Sequence, residues 1–393
     1  MIKTERDVIV VGAGPAGSIC ASYLAKAGID VLVLDKDIFP RDKACGDILQ
    51  EGIVSHVDKL GAFDELDRMG ACIRSLRLVS SSGDTAQLPF ECYCAPRYSF
   101  DELMIKTAVK HGAEFRQSCR VTDMIIEKGT VCGVRVRWHG EESEIRARVV
   151  IGADGAYSQT ARQLGIMQEK PSGIMFGQRA YFKGVKLDKS FSRNQYNTYG
   201  VFSFDEDIIP GYCWAVPCGE KGASEGLCNV GIIVRDRELI KPEALQPRFD
   251  KWRNNTGEIA RMFESAQQVS PWMSGKLCDM TQMIDNIGDG FIIVGDAGAH
   301  MLPLYNDGLS AAANSAKAAA DAAIAAIDAD DVSKQFIAEI YDDGMKNFII
   351  ADDEIKSRRL MQESMYDAET MNKVVAHINR DPVYRGRIAR SIV

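Results

Sequence analysis

The stretch Val10-Val11-Gly12-Ala13-Gly14-Pro15-Ala16-Gly17-Ser18 restricts the fold of this chain more sharply than any other. Gly12, Gly14 and Gly17 follow the G-x-G-x-x-G spacing. The apolar run Asp7–Val11 before them predicts a buried strand, and Ser18–Gly28 after them predicts a helix. Gly12 permits a tight turn, Gly14 lets the backbone approach a pyrophosphate, and Gly17 lets helix and strand pack closely. Pro15 and Ala16 complete the loop. The unpaired N–H groups of the helix start would face phosphate oxygens. A second apolar run, Val31–Leu34, ends in Asp35 and Lys36, with Asp35 lying 18 residues past Gly17. That is close to the spacing at which a carboxylate holds an adenosine ribose, and it would repel a 2′-phosphate. Glycine clusters alone also make ordinary turns. Strand, glycines, helix, strand and acid in this order favour a dinucleotide site.

Length and charge narrow the rest. A chain of 393 residues exceeds one simple core, so two interlocked domains are expected. The net charge of −8 argues against a nucleic-acid partner. No run of ~20 apolar residues is present to span a bilayer. The first strand begins too early to leave room for a signal peptide. The 11 cysteines are scattered without paired CxxC sets, which points to thiols in a reducing cytoplasm and to no metal site.

Arg97–Gly112 reads as a helix, and residues 121–155 read as antiparallel strands leading back to the buried run Val149–Ile151. Residues 171–277 carry three of the four tryptophans and no strand–helix rhythm, which predicts a separate sheet around a substrate pocket. The rhythm returns at Phe291–Val294 and a long alanine-rich helix near 308–327. The expected organisation is a discontinuous dinucleotide domain (1–70, 97–160, 278–330), an interleaved substrate domain (71–96, 161–277) and a helical C-terminal segment (331–393).

Two further motifs bear on the cofactor. One strand ends in Asp154-Gly155, and another ends in Gly295-Asp296, followed by a Pro303 loop and a helix opening at Asp307-Gly308-Leu309. Asp296 can accept a hydrogen bond from a ribityl hydroxyl. The positive end of the helix near Gly308 would face the pyrimidine edge of an isoalloxazine, where negative charge gathers on reduction. This favours a flavin over NAD.

In this order, the three motifs resemble the flavoprotein family that includes p-hydroxybenzoate hydroxylase, flavin halogenases and geranylgeranyl reductases. The resemblance covers residues 1 to about 330. It implies an α/β fold: a Rossmann-like FAD-binding domain with an interleaved antiparallel-sheet substrate domain and a C-terminal helical segment. It places Arg97 near the flavin. The stretch Pro40–Leu49 is similar to the Cys-Gly loop of geranylgeranyl reductases, which implies that Cys45, Gly46 and Asp47 lie beside the isoalloxazine. The stretch Pro210–Pro217 is similar to their Y-x-W-x-F-P motif, which implies that Tyr212, Trp214 and Pro217 line a prenyl channel. Alternation puts Tyr212 and Trp214 on one strand face, where plain core packing is the competing explanation. The chain departs from those reductases after Pro217, where its glycines are wider apart. It also reads Asn306-Asp307-Gly308 where they have glycines.

The expected activity is hydride transfer from reduced FAD to a carbon–carbon double bond of a prenyl or other apolar substrate. Cys45 is a candidate thiol beside the ring. Asp307 is a candidate proton donor, or a helix cap. Two rival readings use the same motifs: an FAD monooxygenase acting on an aromatic or polyketide-like substrate, and a flavin-binding module without turnover. No second G-x-G-x-x-G follows a strand, so the electron donor, NAD(P)H or a redox protein, is external. A lipid substrate implies transient contact of a cytoplasmic protein with a membrane surface.

Overall fold

The computed structural model describes residues 4–166, 174–187, 199–219, 227–235, 242–254, 257–278, 285–301, 306–346 and 367–392. The first strand, Glu5–Val11, lies at the centre of a mostly parallel sheet. Val31–Leu34 and then Glu114–Arg116 flank it on one side, and Glu141–Gly152 and then Phe291–Ile293 on the other. Val8, Ile9 and Val10 are fully buried because helices cover one face and an antiparallel extension the other. That extension, Cys119–Glu127 paired with Thr130–Trp138, joins the long strand Glu141–Gly152. The strand Phe291–Ile293 therefore returns to the sheet far along the chain, as the recurrence of the βα rhythm predicts.

The first helix, Pro15–Lys26, packs against the helices Arg97–Lys110 and Gly308–Asp328. The last of these is built almost wholly of alanine and serine on its buried side. Small side chains let its axis approach the sheet and the first helix closely. Proline at the N-terminus of the first helix is tolerated because no intrahelical partner is lost there.

The second sheet is largely antiparallel. Ile174–Lys183, Cys228–Val234, Gly211–Pro217 and Tyr199–Ser203 run in that spatial order, then the ribbon Ala71–Val79 and Thr85–Cys94. The short strand Ile48–Leu49 closes its edge at Cys94 and Tyr93, so the chain between the two sheets is pinned to the second. One face of this sheet holds a buried cluster of Phe182, Phe249, Trp252 and Phe263. The other face carries Tyr212, Trp214, Phe202, Leu76 and Phe90. Towards the C-terminus, the helix Ala368–Arg380 packs Met371, Val375 and Ile378 into that second cluster against the Thr85–Cys94 strand. Among the described residues no helix is long and apolar enough to cross a membrane.

Candidate active site

A cavity of about 470 Å³ runs between the two sheets. Its first part follows the carboxyl ends of the parallel strands. Gly12, at φ +104°, turns the chain directly against Ala153: a Cβ there would stand 2.4 Å from the Ala153 carbonyl oxygen. A Cβ on Gly17 would stand 1.9 Å from the Gly12 oxygen. Gly14 differs, because the space beside it is open except for the Arg41 guanidinium at 3.5 Å. Gly12 and Gly17 thus serve the chain's own packing, and Gly14 leaves bare backbone facing the groove at the N-terminus of the first helix. Pro15 and Ala16 line the groove beside it.

Asp35 stands at the end of the second strand. Its carboxylate accepts the Ala13 N–H (2.7 Å) and the Asp37 N–H (2.8 Å), so it ties the glycine loop to the following turn. Burial pushes its carboxyl above the ordinary value, against these two donors and Arg41. Lys36 is exposed beside it on the cavity wall. Cys119, Val121, Met124 and Gln163 close this end of the groove.

Past Gly14, the cavity meets Arg41, Lys43, Cys45, Gly46 and Arg97. Arg97, at the start of its helix, is 3% exposed and grips Asp101 through Nε (2.6 Å) and Nη2 (2.7 Å). Arg41 reaches the same carboxylate at 2.7 Å. Burial opposes ionisation of Asp101, but Arg97, Arg41 and Lys43 outweigh it and hold the carboxyl below its ordinary value. The Arg97 charge also favours the ionised form of the nearby Cys45 thiol. Burial nonetheless pushes the Cys45 thiol up, and Arg97 only partly offsets this.

On the opposite wall, Gly155, Asp296, Asp307, Gly308 and Leu309 meet the cavity. Asp296 lies in a 3₁₀ turn, Gly295–Gly298, and pairs with Lys43 at 3.1 Å. Asp307 caps the long helix, accepting the Ser310 N–H at 2.9 Å, and burial raises its carboxyl. Asn306 donates to the Tyr212 hydroxyl at 3.2 Å, which links this edge to the second sheet.

The apolar end of the cavity is walled by Leu76, Phe90, Phe202, Tyr212, Trp214 and Ile233. Tyr212 stacks on Phe202 with ring centroids 5.0 Å apart. Cys213 and Ala215 face the opposite side of the strand, in the Phe182 cluster. The alternation expected of this strand is therefore present.

Several singled-out residues occupy other places. Gly17, Asp47, Pro217 and Gly295 stand behind the cavity wall. Pro217 shares the parity of Cys213, so it faces away from Tyr212 and Trp214. Asp154 lines the cavity, but its carboxylate is occupied by the Ser158 hydroxyl, the N–H groups of Gln159 and Thr160, and the Thr160 hydroxyl. It orders the turn rather than offering a free acceptor. Pro303 lies outside the described residues. Arg41, Lys43, Arg179 and Asn229 were not singled out from the sequence. A polar residue inside an apolar strand, such as Asn229 in Cys228–Val234, was the available signal.

The groove fits a dinucleotide flavin on the chain's own geometry. Bare backbone at Gly14, a helix N-terminus and Arg41 offer a pyrophosphate site, a second helix opens at Gly308, and the far wall is apolar. Fold and groove together define an FAD-dependent oxidoreductase. Comparison with known proteins agrees. An FAD binding domain model matches residues 5–331. The digeranylgeranylglycerophospholipid reductase of Methanosarcina acetivorans is 32% identical over 354 residues, covering 87% of this chain and 80% of that one. A geranylgeranyl bacteriochlorophyll reductase-like structure from Thermoplasma acidophilum superposes with a TM-score of 0.83 at 24% identity, over 95% of this chain and 91% of that one. A flavin-dependent brominase shares the fold at a TM-score of 0.76 and 21% identity, over 95% and 93%. The chain belongs to the geranylgeranyl reductase family of FAD-dependent oxidoreductases.

Proposed function

We propose that the enzyme saturates carbon–carbon double bonds in the prenyl chains of a lipid. The observation that carries this reading is the continuity of the cavity: the dinucleotide groove opens directly onto the apolar wall of Leu76, Phe90, Phe202, Tyr212, Trp214 and Ile233. An isoprenoid chain has no polar group to grip, so its binding must come from excluded water and aromatic contact. The relatives named digeranylgeranylglycerophospholipid reductases support this substrate class.

Once reduced by its donor, bound FAD would supply two electrons, and saturating one double bond consumes these with two protons. Asp35, Gly14 and Arg41 would hold the dinucleotide end, and Arg97, Asp296 and Gly308 the flavin end. Asn229 holds the Cys45 backbone carbonyl at the junction with the apolar compartment, and we assign Cys45 the position beside the reacting carbons. Asp307 holds the helix start through Ser310, and its buried carboxyl remains the second candidate proton source. On this reading residues 71–96 and 161–277 form the substrate half, residues 1–70, 97–160 and 278–330 the cofactor half, and 331–393 a helical buttress. Electrons enter from an external donor, either NAD(P)H or a redox protein. The lipid enters from a membrane surface that a cytoplasmic enzyme touches transiently.

The test is anaerobic. Enzyme reduced with dithionite and freed of excess reductant is mixed with a geranylgeranyl-chain phospholipid, and the flavin absorbance is followed. Return of the oxidised spectrum within seconds to minutes supports the proposal. Reoxidation only on admitting oxygen, with or without halide, favours the oxygenase or halogenase reading.

A further inference from the structure

We propose that Asp47 and Asn229 are positioning residues that tie the Cys45–Gly46 loop and the Trp214 indole to one buried carboxylate, so that the substrate sheet sets the geometry of the redox loop. Only the link to turnover rests on the function proposed above.

Asp47 is fully buried at φ +62°, a backbone conformation that non-glycine residues rarely adopt. This conformation turns its side chain away from the cavity and into the second sheet. Its backbone oxygen accepts the Ala95 N–H at 3.1 Å. One carboxylate oxygen, Oδ2, accepts the Tyr181 hydroxyl (2.6 Å), the Asn229 amide (2.8 Å) and the Cys218 thiol (3.5 Å). The same Asn229 amide nitrogen donates to the Cys45 carbonyl oxygen at 2.8 Å, and the Asn229 oxygen accepts the Trp214 indole N–H at 2.8 Å. The orientation of this amide is fixed by chemistry. An indole N–H only donates and a backbone carbonyl only accepts, so Asn229 must present oxygen to Trp214 and nitrogen to Cys45 and Asp47.

The other end of the loop is held by the same sheet. The Arg179 guanidinium, 1% exposed, binds the Asp42 carboxylate and the Lys43 carbonyl oxygen (3.0 Å), and stacks over Tyr181. The loop is thus gripped at Asp42, Lys43, Cys45 and Asp47 by side chains of strands Ile174–Lys183 and Cys228–Val234 and by the residue following Gly211–Pro217. A change in the substrate wall at Trp214 passes through one amide to the backbone of Cys45.

The carboxylate that anchors this arrangement is itself only half satisfied. Asp47 Oδ1 is buried without a hydrogen-bond partner among the described residues. Burial pushes its carboxyl up to about 6, against Arg179, Tyr181, Asn229 and Arg97. The titratable groups facing it are Arg179 and Tyr181 from strand Ile174–Lys183, Cys218 just after Gly211–Pro217, Cys94 at the end of the ribbon, Arg97 at the helix start and Cys45 on its own loop. Protonation at Oδ1 leaves Oδ2 an acceptor but removes the charge that strengthens its hold on Tyr181 and Asn229.

The experiment uses the FAD-loaded enzyme without substrate, so its outcome is independent of the substrate assignment. Flavin fluorescence is titrated from pH 5 to 8, and the rate of Cys45 alkylation by iodoacetamide is read by mass spectrometry of its peptide. The wild type should show a fluorescence inflection near pH 6, the value to which burial raises Asp47. Asp47→Asn should abolish that inflection. Tyr181→Phe, a milder change, should move it to higher pH, because the lost hydrogen bond favoured the ionised form. Asn229→Leu should raise Cys45 alkylation by about tenfold, the scale of one lost hydrogen bond. An inflection unchanged in Asp47→Asn and Tyr181→Phe, or Cys45 alkylation unchanged in Asn229→Leu, overturns the proposal. A purely structural role would lower melting temperature and leave both readouts where they were.

Discussion

Three aspartates illustrate how environment divides one residue type into different roles. Asp35 accepts two backbone N–H groups and is 8% exposed, so removing it leaves the Ala13 N–H without its partner. Hydrogen bonds to a charged acceptor are worth about 1.5–3 kcal/mol. Asp35→Ala is therefore expected to weaken FAD binding at least tenfold, measured by reconstitution of the apoprotein. Asp307 is a helix cap, and losing a cap costs about 1 kcal/mol. Asp307→Ser keeps a capping oxygen but no acidic proton. Melting close to wild type with turnover retained is the expected result, and lost turnover at intact stability would transfer the proton role to Asp307. Asp47 gives the pH dependence. Its folded-state carboxyl is raised from 3.8 to about 6, so its contribution favours the folded state fully below about pH 4 and is lost as pH rises through about 6. The stability difference between Asp47→Asn and wild type should therefore shift in favour of the variant by roughly 1.4 kcal/mol between pH 5 and 8, the upper half of a change of about 3 kcal/mol that begins near pH 4. Calorimetric melts at several pH values would show it. The place of Asp35 at a strand end after the glycine loop was legible from spacing, whereas its bond to the Ala13 N–H, 22 residues away, was not. The role of Asp47 was not legible either, since its bond to Asn229 spans 182 residues and no local pattern announces such a contact.

At the scale of elements, the strand–glycine–helix unit was readable because each glycine answers a local steric demand. The geometry now separates those demands. Gly17→Ala places a methyl group against the Gly12 carbonyl oxygen and should leave little folded protein. Gly14→Ala meets only the end of Arg41, so it should fold normally yet retain little flavin, because the methyl occupies the phosphate's approach. Circular dichroism and flavin content on the same preparations distinguish the two. The aromatic strand was readable by alternation, but the choice between core and pocket was not a real choice. Trp214 is 7% exposed, packs within a buried cluster and also walls the cavity. Trp214→Ala should therefore cost about 3–5 kcal/mol in stability along with substrate binding. Trp214→Phe retains a ring but leaves the buried Asn229 oxygen without its donor, so it should cost about 1–3 kcal/mol, less than Trp214→Ala, while raising KM. Pro217 sits on the other face for the same reason of parity, and the motif's proline belongs to the strand end rather than to the channel.

For the molecule as a whole, the interleaving of two sheets was visible in the sequence as a strand–helix rhythm that stops and resumes. What could not be read was the seam. The cavity draws its walls from both sheets, and the pairs Asn306–Tyr212, Asn229–Cys45 and Arg179–Asp42 cross between chain segments far apart in sequence. Such contacts follow from tertiary packing and leave no periodic signal. The fold is shared by reductases and a brominase, so it does not choose between their chemistries. The choice rests on a cavity that leads from the dinucleotide groove into an apolar, aromatic-walled compartment. The direct measurement is the mass of the product formed from a geranylgeranyl-chain phospholipid by the reduced enzyme under strict anaerobiosis. The expected product gains two hydrogens for each double bond consumed and incorporates no oxygen or halogen. A lipid recovered unchanged without oxygen but carrying an added oxygen or halogen once oxygen is supplied would contradict this reading.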